Sequence, residues 1–164
     1  MSFALKLSGA VALLLSGLFC GIFLSDRLRR RRDLIRAFIE LLSGLKTSIR
    51  YNSGELISLI KASAPNYIRE FFMTDSVDFD FYWRNSVLKI PKAYALKSGD
   101  YELLYGFGKN LGATDIAGQI EHIELYTEFF KRALKNAEDE YRTKGRLYKT
   151  LGFFAGASLS IMLI

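Results

Sequence analysis

Residues 7–32 read LSGAVALLLSGLFCGIFLSDRLRRRR. No charge interrupts Leu7 to Ser25, and arginines crowd the stretch that follows. This run of about 19 residues is close to the roughly 20 that an α-helix needs to cross a hydrocarbon core of about 30 Å. Arginine beside such a run stays on the cytoplasmic side. Arg27, Arg29, Arg30, Arg31 and Arg32 therefore place the N-terminus outside and residue 26 onward inside. A cleaved signal peptide carries positive charge ahead of its apolar run. Here only Lys6 precedes the run and the arginines follow it. Lipoprotein processing at Cys20 wants a small residue just before the cysteine, where this chain has Phe19.

The other end of the chain mirrors this one. Thr150 to Ile164 is a second uncharged run of about 15 residues, or roughly 22 Å as a helix, which is short for a span. Lys144, Arg146 and Lys149 precede it, and such long side chains can snorkel to a membrane surface. A run apolar on every side reads as a span in preference to a core or interfacial helix. The expected organisation is a transmembrane helix over 1–25, a cytoplasmic helical domain over 26–149 and a second transmembrane helix over 150–164. Gly17, Gly21 and Ser25 are spaced four apart, as are Gly152, Gly156 and Ser160. Small residues at that spacing let helices approach closely in lipid. With this topology both glycine pairs fall in the cytoplasmic half of the bilayer, so an antiparallel hairpin is expected.

Charge follows the same plan. The net charge is +6. Asp26 to Arg36 holds six Arg and two Asp, and Arg142 to Lys149 holds two Arg and two Lys. Each segment is thus +4 and the remainder is −2. The basic excess sits beside the apolar ends, which marks a membrane surface and not nucleic acid. Cys20 stands alone, so no intramolecular disulfide or cysteine-rich metal site can form.

Between the ends the periodicity is helical. Leu34, Phe38, Leu41, Leu42, Leu45 and Ile49 share one helical face, and the first membrane helix can run on into this segment. Asn52 or Ser53 can cap a second helix with Leu56, Ile57, Leu59 and Ile60, which Ala64-Pro65 stops. A short helix carries Tyr67, Ile68, Phe71 and Phe72. Another spans Asp78 to Ile90, anchored by Trp83 and ended by Pro91. Ser98 can cap a helix with Leu103, Leu104, Phe107 and Leu111, and Gly112 ends it. The last segment is the most regular. Ile116, Ile120, Ile123, Thr127, Phe130, Leu134, Ala137, Tyr141, Lys144 and Tyr148 alternate spacings of four and three. This heptad-like seam, capped by Thr114 or Asp115, predicts one long helix that packs on the first and enters the second apolar run.

No motif carries a reaction. There is no glycine-rich loop ending in Gly-Lys-Ser/Thr to cradle phosphates. Gly106, Gly108 and Gly112 miss the dinucleotide spacing by one residue and follow no strand. His122 is the sole histidine; with Asp115 and Gln119 it shares a helical face that offers no nucleophile. No cofactor or metal is expected. The aromatic run of Phe71, Phe72, Phe79, Phe81, Tyr82 and Trp83 reads as core.

Phe107-Gly108-Lys109-Asn110-Leu111-Gly112-Ala113-Thr114-Asp115, then Gln119 and His122-Ile123, resembles a pattern of the stage III sporulation protein AB family of endospore-forming bacteria. Leu147-Tyr148-Lys149-Thr150-Leu151-Gly152-Phe153-Phe154-Ala155-Gly156 resembles that family's ending, and the arginine stretch, Ile49-Arg50-Tyr51 and Trp83 also fit. Ser48 departs from it, standing where the family usually has an acidic residue. The family is similar to the cytoplasmic repeat of the inner-membrane platform protein of type II secretion and type IV pilus machines. The resemblance implies an all-α cytoplasmic bundle of about six helices with a transmembrane helix at each end. It implies a non-catalytic platform in the mother cell–forespore channel complex, seated in the mother-cell membrane around the forespore. Its implied partners are the secretion-type ATPase of the same operon, other membrane proteins of the complex and the membrane, without nucleic acid; a homo-oligomer is also open to it. Phe107, Leu111, Gly112, Asp115, Gln119 and His122 become candidate interaction residues. The competing reading is a membrane-anchored regulator or sensor with no enzymatic activity.

Overall fold

The computed structural model describes residues 3–52, 54–73, 76 and 78–163, and every element among them is helical. Helix α1 runs Phe3–Tyr51 without a break. Helices α2 (Leu56–Ser63) and α3 (Asn66–Arg69) follow, the latter continued by a 3-10 turn Glu70–Phe72. Then come α4 (Phe79–Leu88), a 3-10 turn Lys92–Tyr94 and α5 (Ser98–Asn110). Helix α6 (Ile116–Glu140), a π-helical turn Tyr141–Gly145 and α7 (Arg146–Leu163) complete the chain. The chain divides into two units, Met1–Arg30 with Ala137–Ile164, and Arg31–Asn136. The terminal unit thus takes in residues 26–30 and 137–149 beside the two apolar runs.

In the unit Arg31–Asn136 six α-helical segments among the described residues enclose one core. The stripe Leu34, Phe38, Leu41, Leu42, Leu45 and Ile49 is buried throughout. Phe38 stacks on Phe130 of α6 at 5.9 Å and meets Phe72 edge-on at 6.3 Å. Lys46 pairs with Glu124 at 2.6 Å and holds its carboxyl below the usual carboxylate range. Since Phe38 meets Phe130 and Lys46 meets Glu124, α1 and α6 lie antiparallel. The second half of the core is built on Trp83. Its ring contacts Phe72, Phe79 and Phe107, and its indole N–H donates to the Leu104 carbonyl at 2.7 Å. Tyr82, fully buried beside it, donates to the Phe72 carbonyl at 3.0 Å, and burial pushes its hydroxyl above the ordinary tyrosine range. Phe81 points away, 58% exposed.

Helix ends depart from expectation in instructive places. The residue before α2 is Glu55, in extended backbone with no side-chain cap. Asn52 instead closes the end of α1, its N–H on the Ser48 carbonyl at 2.8 Å, and Ser53 lies outside the described residues. Asp78 caps α4 as its chemistry suggests, accepting from the Asp80 N–H at 3.1 Å. For α5 the cap position falls to Lys97, not Ser98, because the Asp100 carboxylate reaches back to the Lys97 N–H at 2.8 Å. Gly112 adopts φ +85°, a left-handed backbone that costs a side chain dearly, and the chain turns there into α6.

The long last helix is interrupted. The expected seam is buried at Ile123, Phe130 and Ala137, but its first member, Ile116, is exposed. The π turn Tyr141–Gly145 then adds a residue to one turn of helix. Gly145 becomes the buried residue, while Lys144 points outward and pairs with Glu140 at 2.7 Å.

The terminal unit is packed inside out. Leu7, Val11, Leu15, Phe19, Ile22 and Phe23 on α1, and Leu151, Phe153, Phe154, Leu159 and Ile161 on α7, are exposed. Small residues face inward. A Cβ on Gly17 would stand 2.5 Å from the Gly152 carbonyl oxygen, and one on Gly21 2.5 Å from that of Tyr148. The Ser160 hydroxyl lies 2.6 Å from the Ala10 carbonyl oxygen and 2.8 Å from that of Gly156, so this buried polar group is satisfied. Among the described residues one helix is long and apolar enough to cross a membrane, α1, whose best window has mean hydropathy 2.2 and is only 11% buried. The expected second span does not meet that standard. Helix α7 begins with Arg146 and carries Lys149 in its first turn, which dilutes its apolar length.

Gly108 is the tightest test of the core. Any side chain there would run into the Trp83 indole. Gly108→Ala should lower stability by about 1–3 kcal/mol, the usual cost of overpacking. Gly99→Ala, with open space around it, should cost nothing. Denaturant melts followed by the fluorescence of Trp83, the one tryptophan, will separate the two; equal midpoints would refute this packing.

Candidate interaction surfaces and the buried ion pair

The motif residues assemble into a clamp between α5 and α6. Phe107 is fully buried, with Trp83 edge-on at 5.2 Å, Tyr126 at 5.6 Å and the His122 ring stacked at 5.6 Å. The His122 Nε2 lies 2.9 Å from the Phe107 carbonyl oxygen. A carbonyl only accepts, so the imidazole presents its N–H there. That carbonyl is among the last four of α5, which have no helical donor. His122 therefore closes one helix while standing on the next. Leu111 is buried, and Gly112 reverses the chain. Asp115 accepts from the Gly118 N–H at 3.0 Å and so caps α6, while the Gln119 amide donates to the Thr114 carbonyl at 3.0 Å. The side chains of the clamp are taken up in holding helix ends. What it leaves open is a groove of about 350 Å³, lined in part by Ile49, Leu56, Gly112 and Gln119, with Ile116 58% exposed at its edge.

The basic residues divide into separate groups. Arg30 pairs with Asp26 at 2.7 Å, and Arg32 with Asp33 at 2.6 Å. Arg27 and Arg29 are exposed. Arg31, expected with them as a membrane-flanking charge, is only 6% exposed. Its guanidinium meets both Asp100 oxygens, at 2.7 and 2.9 Å, and Asp100 is 5% exposed. This two-pronged pair ties α1 to the start of α5 inside the helical domain. At the other end Arg146 and Lys149 are exposed, and Glu140 beside Lys144 raises the lysine above its ordinary pKa.

The structure is thus that of an all-helical protein with one candidate membrane-crossing helix near its N-terminus. The family model for stage III sporulation protein AB matches residues 6–164, and the chain belongs to that family, with a role in sporulation. It is similar to stage III sporulation protein AB of Bacillus subtilis (strain 168), 27% identical over 170 residues that cover 98% of this chain and 99% of that protein. No solved structure matches the chain.

The ion pair was not legible in advance. An acid at the third position of a helix suggests a local cap, but nothing local points to an arginine 69 residues away. Asp100→Asn removes the carboxylate that faces the buried Arg31 guanidinium and should cost about 3–5 kcal/mol. Replacing both, Arg31→Met with Asp100→Leu, should recover most of that loss. Urea midpoints of the two variants check this. A double variant as unstable as the single one would show that the pair does more than neutralise itself.

Proposed function

We propose that the chain is a non-catalytic membrane platform of the channel complex between mother cell and forespore, coupling a cytoplasmic secretion-type ATPase to membrane partners. The observation that carries this reading is the contrast between the two units. The terminal unit exposes its large apolar side chains and buries glycine and serine, an arrangement suited to lipid and costly in water. The helical domain does the opposite, and its motif residues hold helix ends together where a reaction would need a free nucleophile or base. On this reading α7 enters the membrane beside α1 as a hairpin, with Lys149 and Arg146 snorkelling at its start, and residues 26–149 lie in the cytoplasm. The groove at Gly112, Ile116 and Gln119 is the open part of the motif and the face offered to a partner.

Two measurements test it. The full chain in detergent should co-purify with the ATPase and show no hydrolysis by itself; ATP hydrolysis surviving stringent purification would overturn the non-catalytic reading. Ala62 is an exposed position on α2. A cysteine placed there by Ala62→Cys, in a Cys20→Ser background, should resist membrane-impermeant reagent in intact cells. Labelling from outside would overturn the topology.

A further inference from the structure

Ser25, Tyr141, Arg142, Gly145, Arg146 and Lys149 line a cavity of about 200 Å³ within the terminal unit. We propose that Ser25, Arg142, Arg146 and Lys149 bind the phosphate group of an anionic phospholipid in it. The inference rests on the membrane reading above and goes beyond it, from a diffuse basic flank to one built site.

The π turn creates the cavity. Its extra residue turns Gly145 inward, and a Cβ there would stand 3.0 Å from the Ser25 Oγ and 3.2 Å from the Tyr141 ring. Any larger residue would fill the space. Ser25 is 2% exposed and lines the cavity, yet its hydroxyl has no hydrogen-bond partner among the described residues. That hydroxyl opens onto the cavity and can donate to an acceptor held there. The cations point the same way. Neighbouring charges are neutralised: Arg30 by Asp26, and Lys144 by Glu140. Arg142, Arg146 and Lys149 have no such ion pair among the described residues, and no carboxylate lines the cavity. Three cations and one hydroxyl donor around an open space match a phosphate, which accepts on several oxygens and suits guanidinium best. The volume holds such a group with some water, since water takes about 30 Å³ per molecule in the liquid. A lipid is the favoured carrier, because Leu147 and Leu151, 50% and 54% exposed, flank the cations with apolar surface.

The full chain in detergent tests this through its thermal midpoint, titrated with phosphatidylglycerol, phosphatidylcholine or inorganic phosphate. Phosphatidylglycerol should raise the midpoint and the other two should raise it far less; an equal effect of inorganic phosphate would overturn the lipid assignment. Ser25→Ala and Gly145→Ala change no charge, and each should weaken the phosphatidylglycerol effect, as should Arg146→Gln, by about tenfold or more in concentration for the last. Lys135→Gln removes a charge that does not line the cavity and should leave it unchanged. If Gly145→Ala fails to fold, Arg146→Gln against Lys135→Gln still decides: equal losses would mean smeared attraction without a site. Flotation with neutral phosphatidylcholine vesicles separates the two readings. Variants that float while wild type shows no phosphatidylglycerol preference would sink the site alone; a chain that floats with no vesicle would sink the membrane reading beneath it.

Discussion

An α-helix closes its backbone hydrogen bonds within itself, and this lets α1 work in two surroundings with one backbone. Along Phe3–Tyr51 the side chains reverse their habit. Up to Leu24 most of the large apolar residues are exposed; the stripe from Leu34 to Ile49 is buried. A sheet edge or an irregular loop would have left unsatisfied N–H and C=O groups at one of these places. The reversal sets what each unit must use for packing. In the helical domain the driving force is apolar burial, concentrated on the Leu34–Ile49 stripe and the aromatic cluster around Trp83. Between the apolar ends the contact is made by backbone against backbone, Gly17 and Gly21 against Gly152, Gly156 and Tyr148.

That close approach explains the irregularity at Tyr141–Gly145. The seam of α6 runs in steps of four and three, which would bring Lys144 inward. A lysine cannot be buried there without a partner. The π turn shifts the register by one residue, so that glycine meets Ser25 and the lysine turns out to Glu140. From Gly145 the inward positions continue through Gly152, Gly156 and Ser160. One extra residue thus joins a seam of ordinary side chains to a seam of small ones, and opens the cavity beside Ser25.

Much of this was legible in residue order. The stripe on α1, the helix breaks at Pro65 and Gly112, the cap at Asp115 and the pairing of α1 with α6 follow from periodicity and local chemistry. What escaped was non-local or depended on register. Arg31 looked like one more flanking arginine because its partner, Asp100, is distant in sequence. Ser98 looked like a cap because serine usually is one, but Asp100 took that work from inside the helix. The π turn has no compositional signal, since it arises from the competition between two packing faces. The candidate site was legible in part. Gly112 and Gln119 line an open groove, whereas Phe107 and His122 serve the core.

If the two apolar ends of one chain pack as a single membrane unit, residues 25 and 145 must meet within that chain. A disulfide between Ser25→Cys and Gly145→Cys, in a Cys20→Ser background, tests this most directly, because the Gly145 Cβ position and the Ser25 Oγ lie 3.0 Å apart, a separation suited to a bond between sulfurs carried there. Oxidation of the full chain in membranes should give a cross-link within the chain, seen as a faster-migrating monomer on non-reducing gels. Cross-linking only between chains, or none, would contradict the hairpin.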